Sequence, residues 1–204
     1  MTQIGRFVTF EGIDGAGKST QHQWLIEYLR TQGREVVATR EPGGTPLGEK
    51  LRAVLLSEKM HLDTEALLMF AARREHIELV IRPALARGAW VVCDRFVDAS
   101  MAYQGGGRGL PQTRLAELTR WTVGDLKPDL TFLFDLQAET ALARLRAGTQ
   151  NPDRFERENT DFFDRVRASY LSIARANPDR VRIIDASLGQ TEIQVILQKI
   201  ISTY

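Results

Sequence analysis

The chain has 204 residues, of which 43% are hydrophobic, and this is enough apolar side chain to build the core of one compact domain. Its 27 Lys and Arg residues nearly balance its 26 Asp and Glu residues. A formal net charge of +1 argues against a nucleic-acid polymer or an anionic membrane as partner, so any basic site must be local. Arginine outnumbers lysine by 22 to 5, which suits bidentate recognition of phosphate groups.

The sequence has the features of a cytoplasmic protein. Its single cysteine, Cys93, cannot form an intramolecular disulfide. The first residues carry no signal-peptide pattern, and no apolar run approaches the ~18 residues that a membrane-spanning helix needs. We therefore expect a reduced, cytoplasmic protein without a membrane anchor.

Five short apolar runs rich in β-forming residues alternate with longer helix-compatible stretches. The strands are predicted at Phe7 to Phe10, Val36 to Thr39, Trp90 to Cys93, Leu130 to Leu136 and Val181 to Ile184. Such alternation predicts βαβ units, and nearly continuous apolar strands are typical of a parallel sheet covered by helices on both faces. We expect one α/β domain over residues 1–204.

Seven helices are predicted between these strands, and two glycine-containing segments interrupt the pattern. The helices are expected at Lys18 to Gln32, Leu47 to Leu56, Thr64 to Arg87, Gln112 to Val123, Glu139 to Ala147, Asp161 to Ala176 and Gln190 to Ser202. The segments Gly105–Gly109 and Gly148–Pro152 are predicted as mobile loops.

A phosphate-binding motif, G-x-x-x-x-G-K-[ST], follows the first predicted strand and precedes the first predicted helix. Its glycines let backbone N–H groups converge on a phosphate at a helix N-terminus, and Lys18 adds a positive charge. The hydroxyl of Ser19 suits a Mg²⁺ ion that bridges the β- and γ-phosphates. The alternative is a simple glycine-rich turn. The candidate ATP-binding residues here are Gly12, Ile13, Asp14, Gly15, Ala16, Gly17, Lys18, Ser19 and Thr20.

An acidic and a basic residue, Asp94 and Arg95, end the third predicted strand. They should lie at the carboxyl edge of the sheet, where open α/β folds bind their ligands. Asp94 could orient a water molecule on Mg²⁺, and Arg95 could hold a second phosphate. A surface ion pair is the alternative interpretation.

The sequence resembles the thymidylate kinase family of bacteria, whose members phosphorylate dTMP with ATP. The resemblance covers nearly the whole chain and rests on the segments FEGIDGAGKST, TREPGGTPLGEKLR, ALLMFAARRE, DRFVDASMAYQGGGRG and DRFERENTDFF, which occur in the family's order and approximate spacing. It implies a P-loop NTPase fold with five parallel strands in the order 2-3-1-4-5, Mg²⁺ with ATP as donor, and a homodimer.

The resemblance also implies how the acceptor dTMP is held. It places Asp14 near the sugar hydroxyl, Arg95 at the phosphate, and Tyr103 against the deoxyribose where a 2′-hydroxyl would project. Asp94 is implied beside the Mg²⁺ and phosphates. Further residues implied in or around the acceptor pocket are Glu41, Pro42, Arg52, Ser100 and Gln104.

Base recognition departs from the family pattern, in which a phenylalanine stacks on thymine and an arginine four residues later bonds the base. The spacing here fits Phe70 with Arg74, whereas the ungapped register aligns Met69 with Arg73. A methionine can lie on an aromatic ring, so we favour Arg73 and leave the stacking residue open between Met69 and Phe70.

The resemblance implies a lid over ATP at about residues 144–156, with Arg144, Arg146 and Arg154 around it. Because the P-loop carries Ala16 where some members have an arginine, we expect a lid arginine to join Lys18, Asp94 and Arg95 in catalysis. Ala186 follows the last predicted strand, in the loop beside adenine.

Two alternative functions remain open at this point. One is a kinase for another nucleoside monophosphate or for a deoxynucleoside. The other is a P-loop ATPase or switch protein, although the chain has no guanine-reading N-K-x-D motif.

Overall fold

The computed structural model describes residues 5–148 and 152–204, and it contains one sheet of five parallel strands. The strand order is β2-β3-β1-β4-β5, which confirms the expected 2-3-1-4-5 arrangement. The strands are β1 (Phe7–Glu11), β2 (Val36–Arg40), β3 (Trp90–Asp94), β4 (Leu130–Asp135) and β5 (Val181–Asp185).

The central strand, β1, is buried along its whole length because it pairs with β3 on one side and β4 on the other. Phe10 lies opposite Asp94 of β3 and opposite Phe132 of β4. The carboxyl ends of all five strands share one edge of the sheet, so the P-loop after β1 and the Asp94–Arg95 pair after β3 meet there.

The helices cover both faces of this sheet, and their bounds lie within a few residues of the expected ones except at one helix. They are α1 (Lys18–Thr31), α2 (Pro46–Ser57), α3 (Leu62–His76), α4 (Arg82–Ala86), α5 (Val97–Ser100), α6 (Gln112–Thr122), α7 (Ala138–Gly148), α8 (Thr160–Ala176) and α9 (Gln190–Ile201). No helix of the described residues is long and apolar enough to span a bilayer.

The single helix expected at Thr64 to Arg87 is instead interrupted. Between α3 and α4 lies a π-helical turn, Ile77–Ile81. Pro83 explains the interruption, because its ring lacks an N–H and would clash with the carbonyl four residues earlier in a regular α-helix. A wider turn relieves this conflict.

The glycine run expected as a mobile loop is a packed helix. Met101–Gly107 forms a second π-helical turn that continues α5. A Cβ atom on Gly106 would lie 2.5 Å from the Cβ of Ser169, and one on Gly107 would lie 2.5 Å from the ring of Phe162. These glycines therefore permit close packing against α8. Of the other predicted loop, Gly148 ends α7, and residues 149–151 lie outside the described residues.

Candidate active site

The P-loop has the backbone geometry that its glycines permit. Gly12, Gly15 and Gly17 have φ angles of 135°, 81° and 86°, in the region that side-chain-bearing residues rarely adopt. A Cβ atom on Gly12 would lie 2.5 Å from the carbonyl oxygen of Phe134. The loop therefore packs closely against β4 and leads into α1, which begins at Lys18.

Lys18 is buried and folded back on the loop. Its Nζ donates to the carbonyl oxygens of Gly12 at 3.0 Å and Ile13 at 2.9 Å. Burial, helped by repulsion from Arg95, lowers the pKa of Lys18 to about 8. Carbonyl oxygens accept its hydrogen bonds here, and a phosphate in the loop would give it an anionic acceptor.

Arg95 is the centre of a polar network at the edge of the sheet, and its backbone is left-handed with φ 69°. Its Nη2 donates to Asp14 Oδ1 at 2.5 Å and to the Tyr103 hydroxyl at 3.1 Å, while Nη1 donates to the Gly12 carbonyl at 3.1 Å. Tyr103 in turn donates to Asp14 Oδ2 at 2.8 Å. Burial opposes ionisation of Asp14, but the charges of Arg95 and Lys18 lower the pKa of this carboxyl.

Glu11, the last residue of β1, supports this network. The sequence analysis did not identify this carboxylate. It accepts the backbone N–H of Phe96 and the hydroxyl of Tyr170, both at 2.7 Å. Burial raises the pKa of Glu11 to about 7. Because Tyr170 also accepts a hydrogen bond from Arg95, Glu11 helps to fix both the backbone and the guanidinium of that arginine.

A cavity opens beside this network. It is bounded by residues from the P-loop, β2–α2, α3, the segment after β3, and the segment before α8. The lining residues are Asp14, Glu41, Pro42, Arg52, Leu56, Met69, Arg73, Arg95, Phe96, Ala99, Ser100, Tyr103, Gln104, Asp153 and Phe155. Polar groups from distant parts of the chain thus converge on one partly apolar site, as is typical of small-molecule pockets.

The structure brings together all but two of the residues expected around dTMP. Phe70 lies in a buried cluster with Leu110 and Leu115 and does not line the cavity. Arg74 donates to the carbonyl of Thr122 and, likewise, does not line the cavity. Met69 and Arg73, which the ungapped register favoured, do line it.

Arg73 lines the cavity and is held by three hydrogen bonds. Nε donates to Glu41 Oε2 at 2.6 Å, and Nη2 donates to the Phe96 carbonyl and the Ser100 hydroxyl, both at 3.0 Å. Nη1 is buried and has no hydrogen-bond partner within residues 5–148 and 152–204. His76 Nδ1 lies 3.0 Å from the other oxygen of Glu41, so that carboxylate is anchored as well.

The structure does not bring Arg154 to the P-loop. Its guanidinium donates to the Leu55 carbonyl through Nε and Nη2 and to Glu65 Oε2 through Nη1. Of the other lid candidates, Arg144 donates to the carbonyl of Ala186 at 3.1 Å, which ties α7 to the loop after β5. Arg146 is exposed near the end of α7.

The two residues expected to hold Mg²⁺ line a separate hollow. Ser19 and Asp94 share this hollow with His22 and with residues of β2. Asp94 Oδ1 is buried and lacks a hydrogen-bond partner among the described residues. Ser19 and Thr20 are exposed in the first turn of α1.

Five cavity residues escaped the sequence analysis: Leu56, Phe96, Ala99, Asp153 and Phe155. Phe96 and Phe155 each follow an Asp-Arg pair. The sequence analysis assigned roles to charged residues of these pairs and none to the aromatic residue that follows. Leu56 belongs to the apolar side of α2, and such positions are usually assigned to the core. The signal that could have found the aromatic residues is their place beside charged motifs at the sheet edge.

Comparisons of the sequence and of the fold with known proteins find the same family. The sequence profile described as thymidylate kinase matches residues 10–199. A thymidylate kinase of Cupriavidus metallidurans is 62% identical over 98% of each chain, and one of Bordetella petrii is 61% identical over 97% of this chain and 95% of its own. A crystal structure of thymidylate kinase from Ehrlichia chaffeensis has a TM-score of 0.79 at 35% identity and covers 97% of this chain and 98% of its own. With this match over nearly its whole length, the chain belongs to the thymidylate kinase family.

Proposed function

We propose that the protein transfers the γ-phosphoryl group of MgATP directly to the phosphate of dTMP, giving dTDP and ADP. Family membership supports dTMP as the acceptor. The single observation that carries the reaction is the juxtaposition of a P-loop with a polar-lined cavity. Arg95 connects the two, since it lines the cavity and bonds the P-loop carbonyl of Gly12.

Arg95 is the group best suited to bind the acceptor phosphate. Its guanidinium is fixed by Asp14, Tyr103 and Gly12, so little side-chain entropy remains to be lost when an anion binds. Arg52, whose Nη1 donates to the Pro42 carbonyl at 3.0 Å, lines the same cavity and adds positive charge. Both arginines offset the repulsion between two anionic substrates.

In this proposal Arg73 and Gln104 read the base. Arg73 has one buried nitrogen without a hydrogen-bond partner among the described residues, which can donate to thymine O4, and Gln104 lines the same cavity. Met69 supplies a polarisable surface for the ring, while Phe96 adds apolar contact. Tyr103 lines the same cavity, which supports the proposal that its ring opposes a ribose 2′-hydroxyl.

The residues present fit a Mg²⁺ ion that is shared with the nucleotide. The buried, unpartnered Asp94 Oδ1 and the exposed Ser19 hydroxyl are oxygen donors of the kind Mg²⁺ prefers. No group of three His, Cys, Asp or Glu side chains among the described residues could hold a metal alone. Phosphate oxygens and water would therefore complete its coordination, and the ion would neutralise charge on the phosphates.

Positioning and charge neutralisation supply the catalysis, and no strong general base is required. The acceptor is already an anionic phosphate, so the nucleophile needs no deprotonation. Lys18 and Arg95 hold donor and acceptor on opposite sides of the P-loop, and the lid arginines Arg144 and Arg146 are candidates for the charge that develops during transfer. The hydrogen bond from Arg144 to the Ala186 carbonyl supports a position of this arginine beside the loop proposed to border adenine.

We also propose that two copies of the chain associate, as family resemblance implies, and that the reaction takes place in the cytoplasm. An apolar groove between α3 and α6 supports the dimer. Leu67 is 52% exposed and Trp121 is 79% exposed there, beside Leu110 and Leu118. A second copy of the same surface would cover these side chains.

The reaction is tested by following the phosphorus atom. With ATP labelled in the γ-phosphate and dTMP present, the label should appear in the β-phosphate of dTDP, and none should remain on the protein after a quench. Labelled inorganic phosphate as the main product would indicate an ATPase. Label retained on the protein would contradict direct transfer.

A further inference from the structure

Glu65, in the first turn of α3, is a buried carboxylate that does not line the cavity. It is only 1% exposed, yet it accepts hydrogen bonds from two side chains and forms an ion pair with a third. Gln104 Nε2 donates to Oε1 at 2.7 Å, Arg154 Nη1 donates to Oε2 at 2.5 Å, and Arg108 Nε lies 3.2 Å from Oε1. Burying a carboxylate costs solvation free energy, and hydrogen-bond and ion-pair partners of this kind offset it.

The contact with Gln104 determines how that amide is oriented. A carboxylate can only accept hydrogen bonds, and the guanidinium groups of Arg154 and Arg108 are its ion-pair partners. The end of the Gln104 amide that faces Glu65 must therefore be the NH₂ group. The amide oxygen is the end left for the cavity, which Gln104 also lines.

We propose that Glu65 is a positioning residue for base selection: it fixes the Gln104 amide with its oxygen toward the cavity, so that the site accepts thymine and rejects cytosine. The proposal rests on the proposed function, in which dTMP occupies this cavity. Glu65 itself touches no substrate and acts through Gln104.

Donor and acceptor patterns explain the selection. Thymine presents an O4 acceptor next to an N3–H donor, whereas cytosine presents an N4–H₂ donor next to an unprotonated N3 acceptor. The unpartnered Nη1 of Arg73 and the oxygen of Gln104 match thymine, as donor and acceptor respectively. Against cytosine the same pair would set donor against donor and acceptor against acceptor. A site built in this way rejects the mismatched partner strongly, because buried polar groups are left unpaired.

The test exchanges the carboxylate for an amide of the same shape. In Glu65→Gln the side chain can donate as well as accept, so Gln104 can turn its NH₂ group toward the cavity. We expect the ratio of kcat/KM for dTMP over dCMP to fall at least tenfold. The ratio of dTMP over dUMP should stay within threefold, since uracil and thymine share the same polar edge. Glu27→Gln, which changes an exposed partner of Arg30 on α1, is the matched control and should alter neither ratio.

A double variant shows whether Glu65 acts through Gln104. Gln104→Met removes both the donor and the acceptor at similar size, so adding Glu65→Gln to it should leave the dTMP over dCMP ratio unchanged. A further change in that background would overturn the proposal and assign the effect to Arg154 or Arg108. An unchanged ratio in the single variant Glu65→Gln, with dTMP turnover retained, would overturn it as well.

A measurement on the unaltered protein covers the case in which Glu65→Gln does not fold. With glutamine labelled by ¹⁵N and carboxylates by ¹³C, the coupling across the Gln104–Glu65 hydrogen bond should be present without ligand and persist when dTMP binds. Loss of the coupling on dTMP binding would contradict the proposal. Failure of the unaltered enzyme to use dTMP would instead remove the proposed function and leave this contact as it is.

Discussion

Lys18 is buried, and its ammonium group donates to the carbonyl oxygens of Gly12 and Ile13. Because burial lowers the pKa of Lys18 to about 8, a substantial fraction of these side chains is neutral at pH 8.5. The phosphates of ATP favour the protonated form of Lys18. The number of protons taken up per ATP bound should therefore be close to the neutral fraction of Lys18. Binding should accordingly weaken as pH rises above 8.

Calorimetry of ATP binding at pH 8.5, in buffers of different ionisation enthalpy, measures this uptake. Lys18→Arg keeps its charge at that pH and is the control, for which we expect almost no uptake. Equal uptake by Lys18→Arg and the unaltered protein would assign the proton to another group.

Tyr103 combines two contributions that substitution can separate. Its ring lies edge-on to Phe155, Phe162 and Tyr170, with centroids 6.0 to 6.3 Å away, and its hydroxyl bonds Asp14. Tyr103→Phe keeps the ring and should preserve the preference for deoxyribose over ribose acceptors. Tyr103→Ala should relax that preference about tenfold or more and lower the free energy of unfolding by about 3–5 kcal/mol.

The comparison uses kcat/KM for dTMP and for its ribose counterpart. Loss of the preference in Tyr103→Phe would assign discrimination to the hydroxyl. The same preference in Tyr103→Ala as in the unaltered protein would leave Tyr103 a packing residue only.

Helix α3 illustrates what a periodic pattern can and cannot decide. Arg73 and Arg74 are neighbours, and both fit a pair with an apolar residue four positions earlier. The structure buries Arg73 against Glu41 and leaves Arg74 half-exposed, paired with Glu78. We therefore expect Arg73→Lys to raise the KM for dTMP by about 10- to 100-fold, since it retains a cation for Glu41 but loses Nη1.

Arg74→Lys serves as the matched variant and should change the KM for dTMP by less than threefold. Steady-state kinetics at saturating ATP distinguish the two. A larger effect from Arg74→Lys than from Arg73→Lys would reverse the assignment.

The lid segment offers a further prediction at the scale of elements. Arg154 is engaged by Leu55 and Glu65, so charge stabilisation should come from Arg144 or Arg146 on α7. In single-turnover experiments, alanine at one of these two positions should slow transfer by about 10²-fold while dTMP affinity stays nearly normal.

Arg154→Ala is the comparison, and it should chiefly lower the free energy of unfolding, because it removes a partner of a buried carboxylate. Near-normal transfer rates in all three alanine variants would mean that the lid only covers ATP. A rate loss confined to Arg154→Ala would show that its contact with Glu65 breaks in the complex.

At the scale of the whole molecule, the exposed groove between α3 and α6 predicts self-association. Trp121 is the most exposed large apolar side chain among the described residues. Trp121→Glu replaces it with a charged side chain and should shift sedimentation from dimer toward monomer. Val195→Glu, on the exposed side of α9, is the control and should leave the association state unchanged. A monomeric unaltered protein, or a fully dimeric Trp121→Glu, would contradict this surface.

Much of the architecture could be predicted because strand periodicity and the P-loop motif are local signals. The five strands and the edge where Asp94 and Arg95 meet the P-loop follow from them. Buried carboxylates could not be predicted in this way. Glu11 depends on Tyr170, and Glu65 depends on Arg154, so only tertiary contacts reveal that these acids are buried.

The glycine run after Tyr103 is a second feature that local sequence does not predict correctly. Gly106 and Gly107 are locally typical of a loop, but they permit contact with Ser169 and Phe162 on α8. Tertiary packing therefore overrides the local preference, and the resulting π-helical turn places Tyr103 and Gln104 in the cavity wall.

The most direct test of the account is an acceptor screen with ATP and Mg²⁺, in which ADP formation is followed for dTMP, dUMP, dCMP, thymidine and no acceptor. The account predicts that kcat/KM is highest for dTMP and that little ADP forms without an acceptor. A higher kcat/KM for any other acceptor would contradict dTMP as the substrate, and ADP formation independent of acceptor would contradict phosphoryl transfer to a nucleotide.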